Sequence, residues 1–204
     1  GDGGTALIWA AHEGHAETVT ALLAAPGLDV NAADRDGWTA LILAAVGGHA
    51  ATVTALLAAP GLNVNAADAL GQTALMRAAN GGHTDRVTAL LAAPGLNVNA
   101  ANDDCQAALR LAADRGHTEM VTALLAAPGL NVNAADCAGR TARALAMASG
   151  HVKIASLLPT YPPPADFLAR LEAAEMRDNI DGESAAGGAT AAMPAGAGAV
   201  PAQE

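Results

Sequence analysis

The sequence predicts an all-α solenoid of stacked helix-turn-helix units joined by short β-hairpin-like fingers. Three observations carry this expectation. The stretch TALLAAPGLNVNAAD occurs four times almost unchanged, at Thr20–Asp34 (with Asp29 in place of Asn), Thr54–Asp68, Thr88–Asn102 and Thr122–Asp136, always 34 residues apart. A Gly-His pair keeps the same interval at His15, His49, His83, His117 and His151. The composition is 52% hydrophobic, yet alanine supplies much of that and aromatic residues are only 2%. A fixed period of this length means one supersecondary unit used repeatedly. Small apolar residues make a poor globular core but suit units that bury only the faces meeting their neighbours.

Each unit opens with a helix. Across residues 39–45, Leu41, Ala44 and Ala45 fall at i, i+3 and i+4 on one face. Thr39 supplies an N-cap oxygen, and Gly48 permits the left-handed turn that ends the helix. A second helix carries Val53, Leu56 and Leu57 at the same spacing, and Pro60-Gly61 terminates it. The remaining GLNVNAADALGQ holds one Val-centred extended piece followed by turn formers, so a tight finger is expected rather than a full strand.

The residues Asp34-Arg35-Asp36-Gly37-Trp38-Thr39-Ala40-Leu41, Ala44-Ala45, Gly48-His49, Val53, Leu56-Leu57 and Val64-Asn65 resemble the ankyrin repeat family. The resemblance recurs five times over residues 1–159, with repeats beginning near 1, 36, 70, 104 and 138. Where the family has Thr-Pro-Leu-His, this chain has Thr-Ala-Leu followed by Ile8, Ile42, Met76 or, in the last two units, Arg110 and Ala144. The helix-starting proline and the usual histidine are therefore missing. Unit four also lacks the capping Thr, since Ala107 replaces it, which weakens that helix start. Unit five has Arg143 in place of a core Leu and breaks at Pro159, which suits a polar terminal repeat facing water. Beyond it, 160–180 is expected to form a Pro-rich spacer and a short amphipathic helix with Phe167, Leu168 and Leu171, packing back on unit five, with a helix offered to a partner as the alternative. A disordered Gly/Ala-rich tail is expected over 181–204.

The formal net charge of −10 argues against nucleic acid or an anionic membrane surface as a partner, since both demand clustered Lys and Arg. No apolar run is long enough to span a membrane. The N-terminal Gly1-Asp2-Gly3-Gly4 starts within a finger without a Met or a signal segment, so the chain reads as part of something longer, with repeats upstream. Two cysteines are too few for a disulfide framework. Cys105, in the slot of a finger Gly, and Cys137 are expected to be reduced thiols in an intracellular protein, cytoplasmic or nuclear, with a bridge between neighbouring fingers as the alternative. Cys105 would be strained if its slot needs a positive φ.

No motif carries chemistry. His12-Glu13-Gly14-His15 has the wrong spacing and a helix-ending Gly for a zinc helix. The five Gly-His histidines sit about 8–10 Å apart if the helices stack, too far for one metal whose ligands must lie about 2 Å away; each is expected to bond local backbone. Gly1 to Ala6 fits a dinucleotide fingerprint only superficially, since it follows no strand. Neither a catalytic residue, a metal ligand nor a cofactor is expected.

Comparison of the chain with itself points to a binding surface. Positions forced by packing repeat, and those free of it differ. The differing set includes Arg35, Asp36, Trp38 and Val46; Leu70, Gln72 and Asn80; Asp103, Asp104, Gln106, Asp114 and Arg115; and Arg140. The resemblance implies that these line the finger tips and concave groove that grip a partner protein, with Trp38 as the exposed anchor and Trp9 as core. It also implies a modification: finger asparagines are substrates of an intracellular asparaginyl hydroxylase in some members, and Asn31, Asn65, Asn99 and Asn133 match, although turn geometry alone accounts for an Asn there. A non-enzymatic, monomeric protein-binding scaffold is expected, with a targeting or regulatory segment of a larger enzyme or ubiquitin-ligase adaptor as the alternative.

Overall fold

Ten short helices alternate in pairs along residues 3–160, the part of the chain that the computed structural model describes. They are α1 (Ala6–His12), α2 (Ala16–Leu23), α3 (Ala40–Gly47), α4 (Ala50–Leu57), α5 (Ala74–Gly81), α6 (Thr84–Leu91), α7 (Ala108–Asp114), α8 (Thr118–Leu125), α9 (Ala142–Ala148) and α10 (Val152–Leu157). Odd-numbered helices pack in one row and even-numbered helices in a second, with each pair also packed within its unit. The expected five-unit solenoid is the fold. The spacer and helix of 160–180 and the tail of 181–204 lie, but for Thr160, outside the described residues.

Local chemistry starts each inner helix. The hydroxyls of Thr5, Thr39, Thr73 and Thr141 accept hydrogen bonds from the amides of Ile8, Ile42, Met76 and Ala144, three residues on. Ala107 holds the same extended backbone, φ −97° and ψ 164°, but has no oxygen to offer. The inner helices, the odd-numbered ones, pack on one another in order, and their alanines Ala44, Ala45, Ala78, Ala79, Ala112 and Ala113 are buried, small side chains that let backbones approach closely. Val53 with Leu56, Val87 with Leu90 and Val121 with Leu124 fill the space between the rows.

The fingers are built on one side-chain oxygen each. Asp34 Oδ1 accepts from the amides of Asp36 (3.0 Å) and Trp38 (2.8 Å), and Asp68, Asn102 and Asp136 do the same in their units. Single antiparallel bridges such as Ala33 to Thr39 close the turns, and the described residues contain no longer strand. Asparagine ties one unit to the next: Asn31 donates to the Gly61 carbonyl (2.8 Å) and accepts from the Asn63 amide (2.7 Å). Asn65 and Asn99 repeat both bonds.

The histidines bond the preceding unit, not their own. Nε2 of His49 donates to the His12 carbonyl (3.0 Å), that of His117 to Asn80 (3.3 Å) and that of His151 to Asp114 (3.0 Å). A carbonyl can only accept, so Nε2 carries the proton. A Cβ on Gly14, Gly82 or Gly116 would overlap the His49, His117 or His151 ring, and the Gly before each of the five histidines has a positive φ. At the junction of units two and three Arg86 takes this role, donating from Nη2 to the Gly48 carbonyl.

Three expectations are corrected. Cys105 and Cys137 are joined as a disulfide, not left as thiols. The reason lies in the slots they occupy: a Cβ on the equivalent Gly37 would sit only 2.9 Å from the Ala69 amide, so a side chain in that slot points at the first turn residue of the next finger. Cys105 adopts φ 56°, the only positive non-Gly φ among the described residues. Backbone bonds join the earlier fingers, Ala69 N–H to Asp36 O at 2.8 Å and Asp103 N–H to Leu70 O at 3.4 Å, whereas the sulfur bridge serves fingers four and five. Arg143 is half-buried and turns back on its own unit; its Nη1 donates to the Ala155 and Leu158 carbonyls, closing the end of α10. Nor is the terminal unit polar throughout, since Met147 is 61% and Val152 75% exposed.

Two outcomes follow. Ala107→Thr restores the missing cap on a backbone already set for it and should raise stability by about 1 kcal/mol, seen as a higher urea midpoint with an unchanged slope. Reduction by a dithiol opens a loop with a sequence separation of 32 and should lower stability by about 3–4 kcal/mol on the chain-entropy estimate, measured by comparing urea melts of oxidised and reduced protein.

Candidate protein-binding face

The fingers and inner helices present one continuous column of side chains. Four residues after each cap position stand Trp9, Leu43, Arg77, Leu111 and Leu145; at the helix ends stand His12, Val46, Asn80 and Asp114. Beside them lie the residues that precede the caps, Trp38, Gln72, Gln106 and Arg140. Of the residues singled out from the sequence, Arg35, Asp36, Val46, Leu70, Asp103, Asp104, Asp114, Arg115 and Arg140 are exposed, with Leu70 at 59%. Gln72, Asn80, Gln106 and Trp38 are half-buried.

Several of these already have work within the chain. The Arg77 guanidinium lies over the Trp38 ring at 4.4 Å from its centroid, so Trp38 is a covered platform rather than a free anchor. Arg140 bonds its own finger through Nε to Asp136 Oδ2 at 2.9 Å. The Asp114 carboxylate accepts from Ser149 Oγ at 2.9 Å. Asp36, Leu70 and Asp104 occupy one slot in successive fingers and form a row at the tips.

Trp9 is 52% exposed, which overturns its placement in the core. Variability along the chain gives little signal for it, because the position four after the cap is Leu in three of the five units. Arg77 occupies that same position and was missed with it, whereas Arg110, three after Ala107, was read only as the residue in the family's histidine place. Asn31, Asn65 and Asn99 have both amide atoms committed to the following unit.

Buried charge is paired across this face. Asp68 Oδ2 accepts from Arg77 Nε at 3.0 Å and from Nη2. Burial raises the Asp68 carboxyl, but the hydrogen bonds from Arg77 and from the Gln72 and Leu70 amides outweigh it and hold the group below the usual carboxylate range. Asp136 is also held low, its bonds from Arg140 and the charge of Arg110 overcoming burial. Arg110 Nη1 lies 3.0 Å from Asp136 Oδ2, and burial pulls its guanidinium below the ordinary arginine value against the pull of Asp136. Burial, then the charges of Arg86 and His117, lower His83. Among the described residues, no group of three His, Cys, Asp or Glu side chains is arranged to hold a metal, and no helix is long and apolar enough to cross a membrane.

A family model described as ankyrin repeats (3 copies) matches residues 1–68 and 75–167. The chain belongs to the ankyrin repeat family, whose general role is protein–protein interaction and whose repeat domains are typically non-catalytic. A comparison with curated proteins finds no match.

Asp68 and Asp136 give this face a pH signature. Their folded pKa values lie below the unfolded value of about 3.9. Their contribution is therefore fully present above about pH 4 and is lost as pH falls through the depressed folded values. Urea midpoints measured from pH 6 to pH 2 should fall on acidification. The fall should be shallower in Asp68→Asn, which retains the turn-forming oxygen just as Asn102 does.

Proposed function

We propose that this chain is a non-enzymatic scaffold or adaptor that holds a partner protein against its finger tips and the adjoining inner-helix column. The observation that carries the reading is a division of labour among residues. Those that repeat are engaged in caps, finger turns and unit-to-unit bonds, whereas those that differ are mostly exposed along one edge. Asp36, Leu70, Asp103, Asp104 and Arg115 are the contacts best placed to bind, with Val46, Asp114 and Arg140 beside them. The acidic edge favours a basic protein surface over nucleic acid. The chain acts as a monomer in an intracellular compartment, cytoplasmic or nuclear, the setting typical of ankyrin repeat proteins.

A role as the targeting segment of a larger enzyme or ubiquitin-ligase adaptor uses the same face and differs only in what is joined to it. Hydroxylation remains a separate proposal. It should favour Asn133, because Asn31, Asn65 and Asn99 would each have to break two bonds first.

Affinity capture with the full chain, compared with a Leu70→Ala, Asp104→Ala double variant, tests the binding reading. The variant should keep its far-UV circular dichroism and lose the captured protein, with affinity reduced at least tenfold. Undiminished capture would place the contact elsewhere.

A further inference from the structure

We propose that the pocket between Trp9 and Asp34 is a receptor for one arginine side chain of the partner, its guanidinium stacking on the indole and pairing with the carboxylate. The inference rests on the partner being a protein. It is carried by a built example of the same recognition one unit further along the chain.

In that example, Arg77 lies over Trp38 with its guanidinium carbon 4.4 Å from the ring centroid. Its Nε donates to Asp68 Oδ2 at 3.0 Å, and Nη2 donates to the same oxygen. Asp68 Oδ1 is turned the other way, accepting from the Leu70 and Gln72 amides. One carboxylate oxygen thus builds the finger and the other holds a guanidinium.

Asp34 has the first half of this arrangement. Its Oδ1 accepts from the Asp36 and Trp38 amides. At the position of Arg77, however, the chain has Leu43, and no cation among the described residues pairs with Oδ2. Asp136 is closed by Arg110 and Arg140, and Asn102 carries no charge. Of the three aspartates that build finger turns, Asp34, Asp68 and Asp136, Asp34 is therefore the one without a guanidinium.

The aromatic platform is nevertheless present. A Cβ on Gly4 would lie 2.7 Å from Trp9 Nε1, so the Trp9 indole covers Gly4, the unit-one counterpart of Trp38. Trp9, Asp34 and Leu43, with Ile8 and His12, line a pocket of about 150 Å³. On its rim His12 Nδ1 lies 2.8 Å from Glu13 Oε1, and Glu13 adds negative charge to the approach. Indole, carboxylate and an apolar wall are what an arginine needs for its plane, its charge and its aliphatic stem. A lysine would gain the charge but lose the stacked plane and the forked hydrogen bonds.

Titration of the full chain with N-acetyl-arginine methylamide, followed by NMR at the Trp9 indole N–H, tests the site directly. The lysine and leucine analogues serve as controls. The arginine probe should give a saturable shift at Trp9, binding at least threefold more tightly than the lysine probe, with no saturation by the leucine probe. Asp34→Asn, which keeps the finger turn, and Leu43→Arg, which fills the pocket from within, should each weaken binding at least tenfold. A wild-type Trp9 signal that does not saturate, or equal binding by Asp34→Asn, would overturn the proposal. Neither result would bear on capture through Leu70 and Asp104, so failure of this site and failure of the binding reading are separable.

Discussion

Burial of alanine-lined helix faces between successive units is the constraint on which the rest of this structure depends. The helices are six to eight residues long, well short of the length at which an isolated helix holds together in water. Ala44, Ala45, Ala78 and Ala79 are fully buried only because the neighbouring unit covers them. In the last pair of described helices Met147 and Val152 are exposed, and Arg143 donates to the Ala155 and Leu158 carbonyls.

Apolar stacking alone would tolerate slippage, and the polar repeats supply the register. Asn31, Asn65 and Asn99 each bond two backbone groups of the next unit, and each bonded histidine reaches one carbonyl of the unit before it. These bonds are geometrically specific where methyl contacts are not. They fix the spacing of the finger tips and so the spacing of whatever the tips recognise. Two departures keep the contact while changing its chemistry: Arg86 substitutes for a histidine, and the Cys105–Cys137 bridge stands between fingers four and five.

What could be read from the sequence was whatever a single unit decides. The Thr caps, the helix ends at Gly, the Pro-Gly stops and the finger turns follow from local propensity, and all recur in the structure. Features that depend on the next unit were misread. Trp9 looks like core within one unit, because a large apolar residue inside a helix usually is; only the stacked array shows that its position lines the outer column. Arg143 at a leucine position suggested a water-facing end, but a long side chain can turn back onto carbonyls that no periodicity reveals. The pairing of Arg77 with Asp68 joins a helix to a finger nine residues away, and nothing in the local pattern announces it.

The dependence of each unit on its neighbours is open to one direct measurement. A synthetic peptide covering residues 36–69, one full period, can be compared with the whole chain by far-UV circular dichroism under identical buffer conditions. Mutual cover predicts a helical spectrum for the chain and a coil spectrum for the peptide. A peptide as helical per residue as the chain, melting cooperatively by itself, would contradict it.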